Sequence, residues 1–248
     1  MAGHSKWANI QHRKGRQDAK KAKFFTKAAK DIIIAAKAGG GNPEDNSALR
    51  LAIQKAKAVN MPNDKITTAI KKGTGELAGG DITETIYEGY GPGGVAIIIE
   101  VATDNKNRTV ADIRHLLNKS GGNMGESGSV AWMFDKKGVL TFSKDSADEE
   151  QLFEIGLEAG VEDVVDEEEN LVVYTEPTDF TTAQKAYEDA GLTFEAELSM
   201  IAKNEMDVDV AGAKKILNLM EALEDHDDVQ KIHVNADFSD EVMAQLSE

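Results

Sequence analysis

The first residues whose chemistry can be read are cations set beside an indole. Lys6, Trp7, His12, Arg13, Lys14 and Arg16 stand in a stretch with no helical period. Lys and Arg neutralise phosphates and release condensed counterions, and an indole stacks on an unpaired base or wedges into a groove. This arm lacks the apolar content to order itself, so it is expected to order on contact with a partner. The cationic series continues with Lys20, Lys21, Lys23, Lys27, Lys30 and Lys37. These residue types point to nucleic-acid binding. A second reading has the same basic helices docking on acidic parts of their own chain.

The distribution of charge favours the first reading over what the total suggests. The chain carries a formal net charge of −16 over 248 residues. Residues 1–78, however, hold 16 basic and 6 acidic side chains, while the remainder holds 12 basic and 38 acidic. Opposite poles in one chain imply separate partners for separate regions.

Other chemistries lack their signatures. Cysteine is absent, which removes disulfides, thiolate zinc sites and cysteine nucleophiles. Gly89-x-Gly-x-x-Gly94 resembles a dinucleotide loop, but a strand follows it where that loop needs a helix N-terminus, so it reads as a hairpin tip. No phosphate-binding GxxxxGK[ST] loop and no HExxH helix is present. His115 lies on an amphipathic helix as a surface or packing residue. His233 alternates with Ile232 and Val234 and reads as solvent-facing. Glu167-Glu168-Glu169 and the run Glu224 to Asp228 lack calcium-loop spacing and read as solvated loops. The expectation is a protein without catalytic residues, cofactor or metal site. No apolar run is long enough to span a bilayer and no secretory signal is evident, so the chain is expected in the cytoplasm, as a monomer.

The elements that must position these residues follow from periodicity. A helix is expected from about 17 to 38, with Ala22, Phe25, Ala29, Ile32, Ile33 and Ala36 as its inward stripe. Gly39 to Pro43 ends it. Helices over about 44–59 and 64–72 follow, separated by Asn60-Met61-Pro62-Asn63. Their spacing loosely resembles a helix-turn-helix, with Lys65, Thr67, Thr68, Lys71 and Lys72 outward. Strands are expected from Ile82 and over 95–101, with a turn at 89–94, a loop at 103–107 and a helix over 109–119. The order after Gly138 is strand, helix, strand, strand, helix, strand, the ferredoxin-like split unit. A helix over 211–223 and a strand over 229–234 complete the domain begun near residue 81. The fold class is therefore α+β multidomain. It comprises a basic arm and helical bundle (1–78), an α+β domain (79–134 plus 204–248) and a ferredoxin-like βαββαβ domain (135–203) inserted in it.

Three motifs carry a resemblance to a known family. Gly3-His-Ser-Lys-Trp7 with Ile10-Gln-His-Arg-Lys14 and Asp18-Ala-Lys-Lys-Ala22 forms the first. Tyr87-Glu-Gly-Tyr-Gly-Pro-Gly-Gly94 with Thr103-Asp-Asn-Lys-Asn-Arg-Thr109 forms the second, and Gly121-Gly-Asn-Met-Gly-Glu-Ser-Gly-Ser129 the third. Together they resemble the YebC/PmpR family over essentially the whole chain. The resemblance implies three domains in the order read above. It implies a DNA-binding transcriptional regulator, or alternatively a ribosome- or RNA-associated translation factor that relieves slow elongation. In the second case Tyr90, Asn105, Lys106 and Arg108 sit at loop tips that could probe an RNA-lined site, with Arg108 on a phosphate.

Overall fold

The computed structural model describes residues 17–79, 81–167 and 170–246. The chain divides into two compact units, one of them Trp132–Glu205 and the other built from the segments before and after it.

The larger unit opens with three helices: α1 (Gln17–Gly39), α2 (Ser47–Ala58) and α3 (Asn63–Gly73). Ile32, Ile33, Ala36, Leu49, Ala56, Ile66 and Ala69 form their shared core, with Phe25 and Ile53 packed against it. Ala22 differs from the expected stripe and is exposed, because the bundle covers only the C-terminal part of α1. Asn46 sets the start of α2. Its side-chain oxygen accepts from the N–H of Leu49, and its amide donates to the carbonyls of Ala35 and Gly40. Gly73 is required where α3 crosses α1: a Cβ there would lie 2.5 Å from the Ile33 carbonyl oxygen.

A four-stranded sheet follows. Strand β1 (Thr83–Tyr90) pairs antiparallel with β2 (Ala96–Thr103), in register from Thr83 opposite Thr103 to Tyr90 opposite Ala96. Helix α4 (Lys106–Lys119) and the short β3 (Asn123–Met124) come next. The expected turn is shorter than the glycine run suggests. Gly89 and Tyr90 belong to β1, and the chain reverses over Pro92–Gly94, where Gly93 and Gly94 take φ of 76° and 84°.

In the smaller unit β4 (Phe134–Ser143), α5 (Glu149–Gly156), β5 (Val161–Asp166), β6 (Asn170–Thr175), α6 (Phe180–Asp189) and β7 (Glu195–Ala202) form a sheet of order β5-β6-β4-β7. This is the ferredoxin-like arrangement. An aromatic cluster of Phe142, Tyr187 and Phe194 fills its core, and the Tyr187 hydroxyl donates to the Leu152 carbonyl. Glu168 and Glu169 of the acidic loop lie outside the described residues.

The chain returns to the larger unit with β8 (Met206–Asp207), α7 (Val210–Glu224), β9 (Val229–Val234), β10 (Ala236–Asp237) and α8 (Asp240–Leu246). β9 completes the sheet of order β3-β1-β2-β9. Helices α4 and α7 bury Ile113, Leu117, Ile216, Leu219 and Leu223 against Ile97, Ile99 and Val101. Ile98, on the other face of β2, is buried as well. His233 is not the solvent-facing residue expected from alternation. It is 1% exposed, stands opposite Ile98 in the sheet, and its Nε2 lies 2.9 Å from Glu100 Oε1. Among the described residues, no helix is long and apolar enough to cross a membrane.

Candidate nucleic-acid interface

The lysines of α1 meet the end of α7. That helix has no basic residue in its last turn, although its terminal carbonyls lack intrahelical partners and its C-terminus carries partial negative charge. Helix α1 supplies the missing cations. Lys27 Nζ donates to the Glu224 carbonyl at 2.8 Å. Lys23 Nζ donates to the Asp225 carbonyl and carboxylate at 2.9 and 3.0 Å. Lys30 Nζ donates to the Asp227 carbonyl at 2.8 Å and to Asp228 Oδ1 at 2.5 Å. Burial pushes the Lys27 ammonium below its usual range, with Glu224 pulling the other way. The run Glu224 to Asp228, expected as a solvated loop, is thus the receptor for α1.

Asp228 is the centre of this contact. Its Oδ2 accepts from Arg108 Nη2 at 2.8 Å, Thr109 Oγ1 at 2.7 Å and Thr103 Oγ1 at 3.1 Å. Its own N–H donates to His226 Nδ1 at 3.1 Å. Burial opposes ionisation of this carboxyl, but the donors from Lys30, Arg108 and Thr109 hold it well below the usual carboxylate range. Arg108 also bonds Asp104 at 2.8 Å, and its two carboxylate partners raise its already high pKa. The segment 103–107 is not all loop, since Asn105 caps α4 by accepting from the Arg108 N–H and the helix starts at Lys106. Most of the Thr103–Thr109 motif is therefore occupied in joining β2, α4 and the acidic turn.

A second buried carboxylate joins the two glycine-rich motifs. Glu88 is 7% exposed and accepts from the N–H groups of Gly128 at 2.6 Å and of Val130 and Ala131 at 2.8 Å each. Burial would raise its pKa, and these three backbone donors lower it below the usual range. Tyr90 donates its hydroxyl to the Ser129 carbonyl at 3.2 Å. Close approach of the two segments needs Gly122 and Gly89, whose Cβ atoms would fall 2.2 Å from the Tyr90 oxygen and 2.7 Å from the Asn123 oxygen.

The expected nucleic-acid contacts now sort by position. Lys6, Trp7, His12, Arg13, Lys14 and Arg16 lie outside the described residues, and Lys20 and Lys21 lie on α1 with side chains that are not described. Lys23, Lys27 and Lys30 are bonded to the chain's own acidic turn, the second of the two readings of the sequence. Lys71 is exposed on α3 and Lys72 half-buried. Lys65 and Lys106 are exposed as well, and Lys65 Nζ stands 5.3 Å from the centre of the Phe25 ring. Tyr90 and Arg108 are tied down by the bonds above, while Asn105 spends its side-chain oxygen on the helix cap. Sequence reasoning passed over Glu88 and read Asp228 only as part of a solvated acidic loop. The signal for Glu88 was an acid next to Gly89 in a glycine-rich motif, and that for Asp228 was a pair of threonines six residues apart in another motif with no hydroxyl chemistry to perform.

Comparison with known proteins gives the chain its relatives. A family model for the TACO1/YebC N-terminal domain matches residues 5–76, and one for the TACO1/YebC second and third domain matches residues 82–236. A protein of Maridesulfovibrio salexigens named "Probable transcriptional regulatory protein" is 68% identical over 249 residues, covering 100% of both chains. One of the same name from Halothermothrix orenii is 53% identical over 252 residues, again covering 100% of both. The crystal structure of a conserved hypothetical protein from Aquifex aeolicus superposes with a TM-score of 0.82 at 42% identity, covering 90% of this chain and 92% of that one. Matched over nearly its whole length at both the sequence and the structural level, the chain belongs to the TACO1/YebC family.

Proposed function

We propose that the protein is a nucleic-acid-binding regulator of gene expression that contacts duplex DNA through its basic arm and the outward cations of its helical bundle. The observation that carries this reading is the separation of charge. Residues 1–78 hold 16 basic and 6 acidic side chains, and the unit Trp132–Glu205 holds 5 basic and 20 acidic. A polyanion is drawn to the first region and repelled by the second, so binding is confined to the first. The names of the relatives support a role in transcription. Lys23, Lys27 and Lys30 serve the reading indirectly, by holding α1 against the acidic turn. The function is binding, with no catalytic step.

Crosslinking in living cells, with sequencing of both the DNA and the RNA recovered, tests it. Discrete promoter peaks that vanish on replacing Arg13, Lys14 and Arg16 with alanine are the expected result. Dominant ribosomal-RNA crosslinks without promoter peaks would replace it with the translation-factor reading.

A further inference from the structure

The smaller unit holds 20 acidic and 5 basic side chains, and so nearly all of the chain's net charge of −16. Within that acidic surface, one helix presents apolar side chains to water. Along α5 and the turn after it, Leu152, Gly156 and Ala159 face the core. Phe153 and Leu157, four residues apart on one face, are 49% and 66% exposed. Glu149, Glu150, Glu154, Asp163 and Val164 line a shallow groove with Phe153, and exposed Glu158 adjoins Leu157. Neighbouring acids on this unit are ion-paired: Glu162 and Glu176 share Lys137, and Asp166 meets Lys144. Glu149, Glu150, Glu154 and Glu158 form no ion pair with another described residue.

We propose that this strip is a docking surface for a lysine- and arginine-rich amphipathic segment of another protein. The partner's apolar side chains cover Phe153 and Leu157, and its cations meet the rim of carboxylates. Burying the apolar pair supplies the driving force, and the rim sets specificity and speeds encounter. The same rim repels nucleic acid and anionic lipid. A second copy of the strip would bring like charges together, which argues against self-association there.

The test uses the full-length protein and, as probe, a short synthetic amphipathic helix of lysine and leucine. A control peptide of equal charge carries serine for leucine. The leucine peptide should bind on the order of tenfold more tightly than the serine peptide. Phe153→Ser with Leu157→Ser should remove that difference. Glu150→Lys with Glu154→Lys should weaken binding by a similar factor, while Glu188→Lys with Asp189→Lys on α6 should change it by less than about twofold. All these side chains are exposed, and unchanged melting temperatures verify folding. Equal binding of the two peptides, or an equal effect from the α6 pair, would mean diffuse charge attraction and would overturn the proposal. In cells, a photo-reactive amino acid at Leu157 should capture protein segments in which Lys and Arg flank apolar residues. Capture of nucleic acid, of a second copy, or of nothing would also overturn it.

Discussion

Lys30 Nζ lies 2.5 Å from Asp228 Oδ1, the two side chains being only 12% and 6% exposed. The carboxylate that receives Lys30 also receives Arg108, Thr103 and Thr109, so one side chain ties α1 to β2, α4 and the turn before β9. Removing one member of a buried pair leaves the other charged and unsolvated, and this costs more than the pair itself contributes. Asp228→Asn should therefore destabilise the larger unit by about 2–5 kcal/mol, read by urea unfolding at neutral pH. The pH dependence follows from the depressed pKa of Asp228. Its contribution is complete above the unfolded carboxyl's ordinary value of 3.8 and is lost as pH falls below it toward the folded value. The curves of the wild-type protein and the Asp228→Asn variant should converge in that acidic range. A gap that stays constant down to strong acid would contradict this account.

Asp31 behaves in the opposite sense. Burial on α1 raises its pKa from 3.8 to about 6, and Lys55 and Lys231 offset the burial only in part, with Glu84 and Glu100 adding repulsion. A raised acid is favoured protonated in the folded state, so the fold loses stability as pH rises from about 4 to 6 and carries the full cost at pH 7. Asp31→Asn should raise stability at pH 7 by about 1–3 kcal/mol and leave it unchanged near pH 3. Thermal melts of both proteins across that range decide it, and an Asp31→Asn variant less stable than wild type at pH 7 would refute the assignment.

Glu88 gathers three backbone donors from residues 128–131. Glu88→Gln keeps the shape but turns one acceptor into a donor facing an N–H. Amide exchange at Gly128, Val130 and Ala131 should quicken by roughly 10- to 100-fold, equivalent to about 1.4–2.8 kcal/mol of local stability. Protection in the ferredoxin-like core around Phe142 and Tyr187 should be unaffected. Unchanged exchange at the three amides would mean that the loop is held by its glycine packing alone.

The legible parts of the sequence were those written in periodicity. Ile32, Ile33 and Ala36 announced the inward face of the first bundle helix, and the βαββαβ order announced the ferredoxin-like sheet. The failures share one cause: the destination of a polar side chain depends on what another segment brings to it. His233 alternates like a surface residue, yet it is buried opposite Ile98 and beside Glu100. Lys27 and Lys30 keep the spacing of a solvated cationic face, but they end at a helix terminus 197 residues further along the chain. Asn105 sits in a polar run that reads as loop, and only its bond to the Arg108 N–H makes it a cap.

That division among the cations leads to the sharpest test of how nucleic acid is held. Lysines already bonded to Glu224, Asp225, Asp227 and Asp228 have little to give a phosphate without breaking the dock. Cations of the arm release counterions directly when they bind. Replacing Arg13, Lys14 and Arg16 with alanine should lower the slope of log affinity against log salt by about 0.7–0.9 for each phosphate no longer neutralised, with little change in melting temperature. Lys27→Ala and Lys30→Ala should do the reverse, lowering the melting temperature while leaving the slope nearly as it was. Binding to a short duplex, measured by fluorescence anisotropy from low to moderate salt, separates the two groups. If the slope instead falls with Lys27 and Lys30 and not with the arm, the acidic turn is a competitor that nucleic acid displaces, and α1 itself is the contact surface.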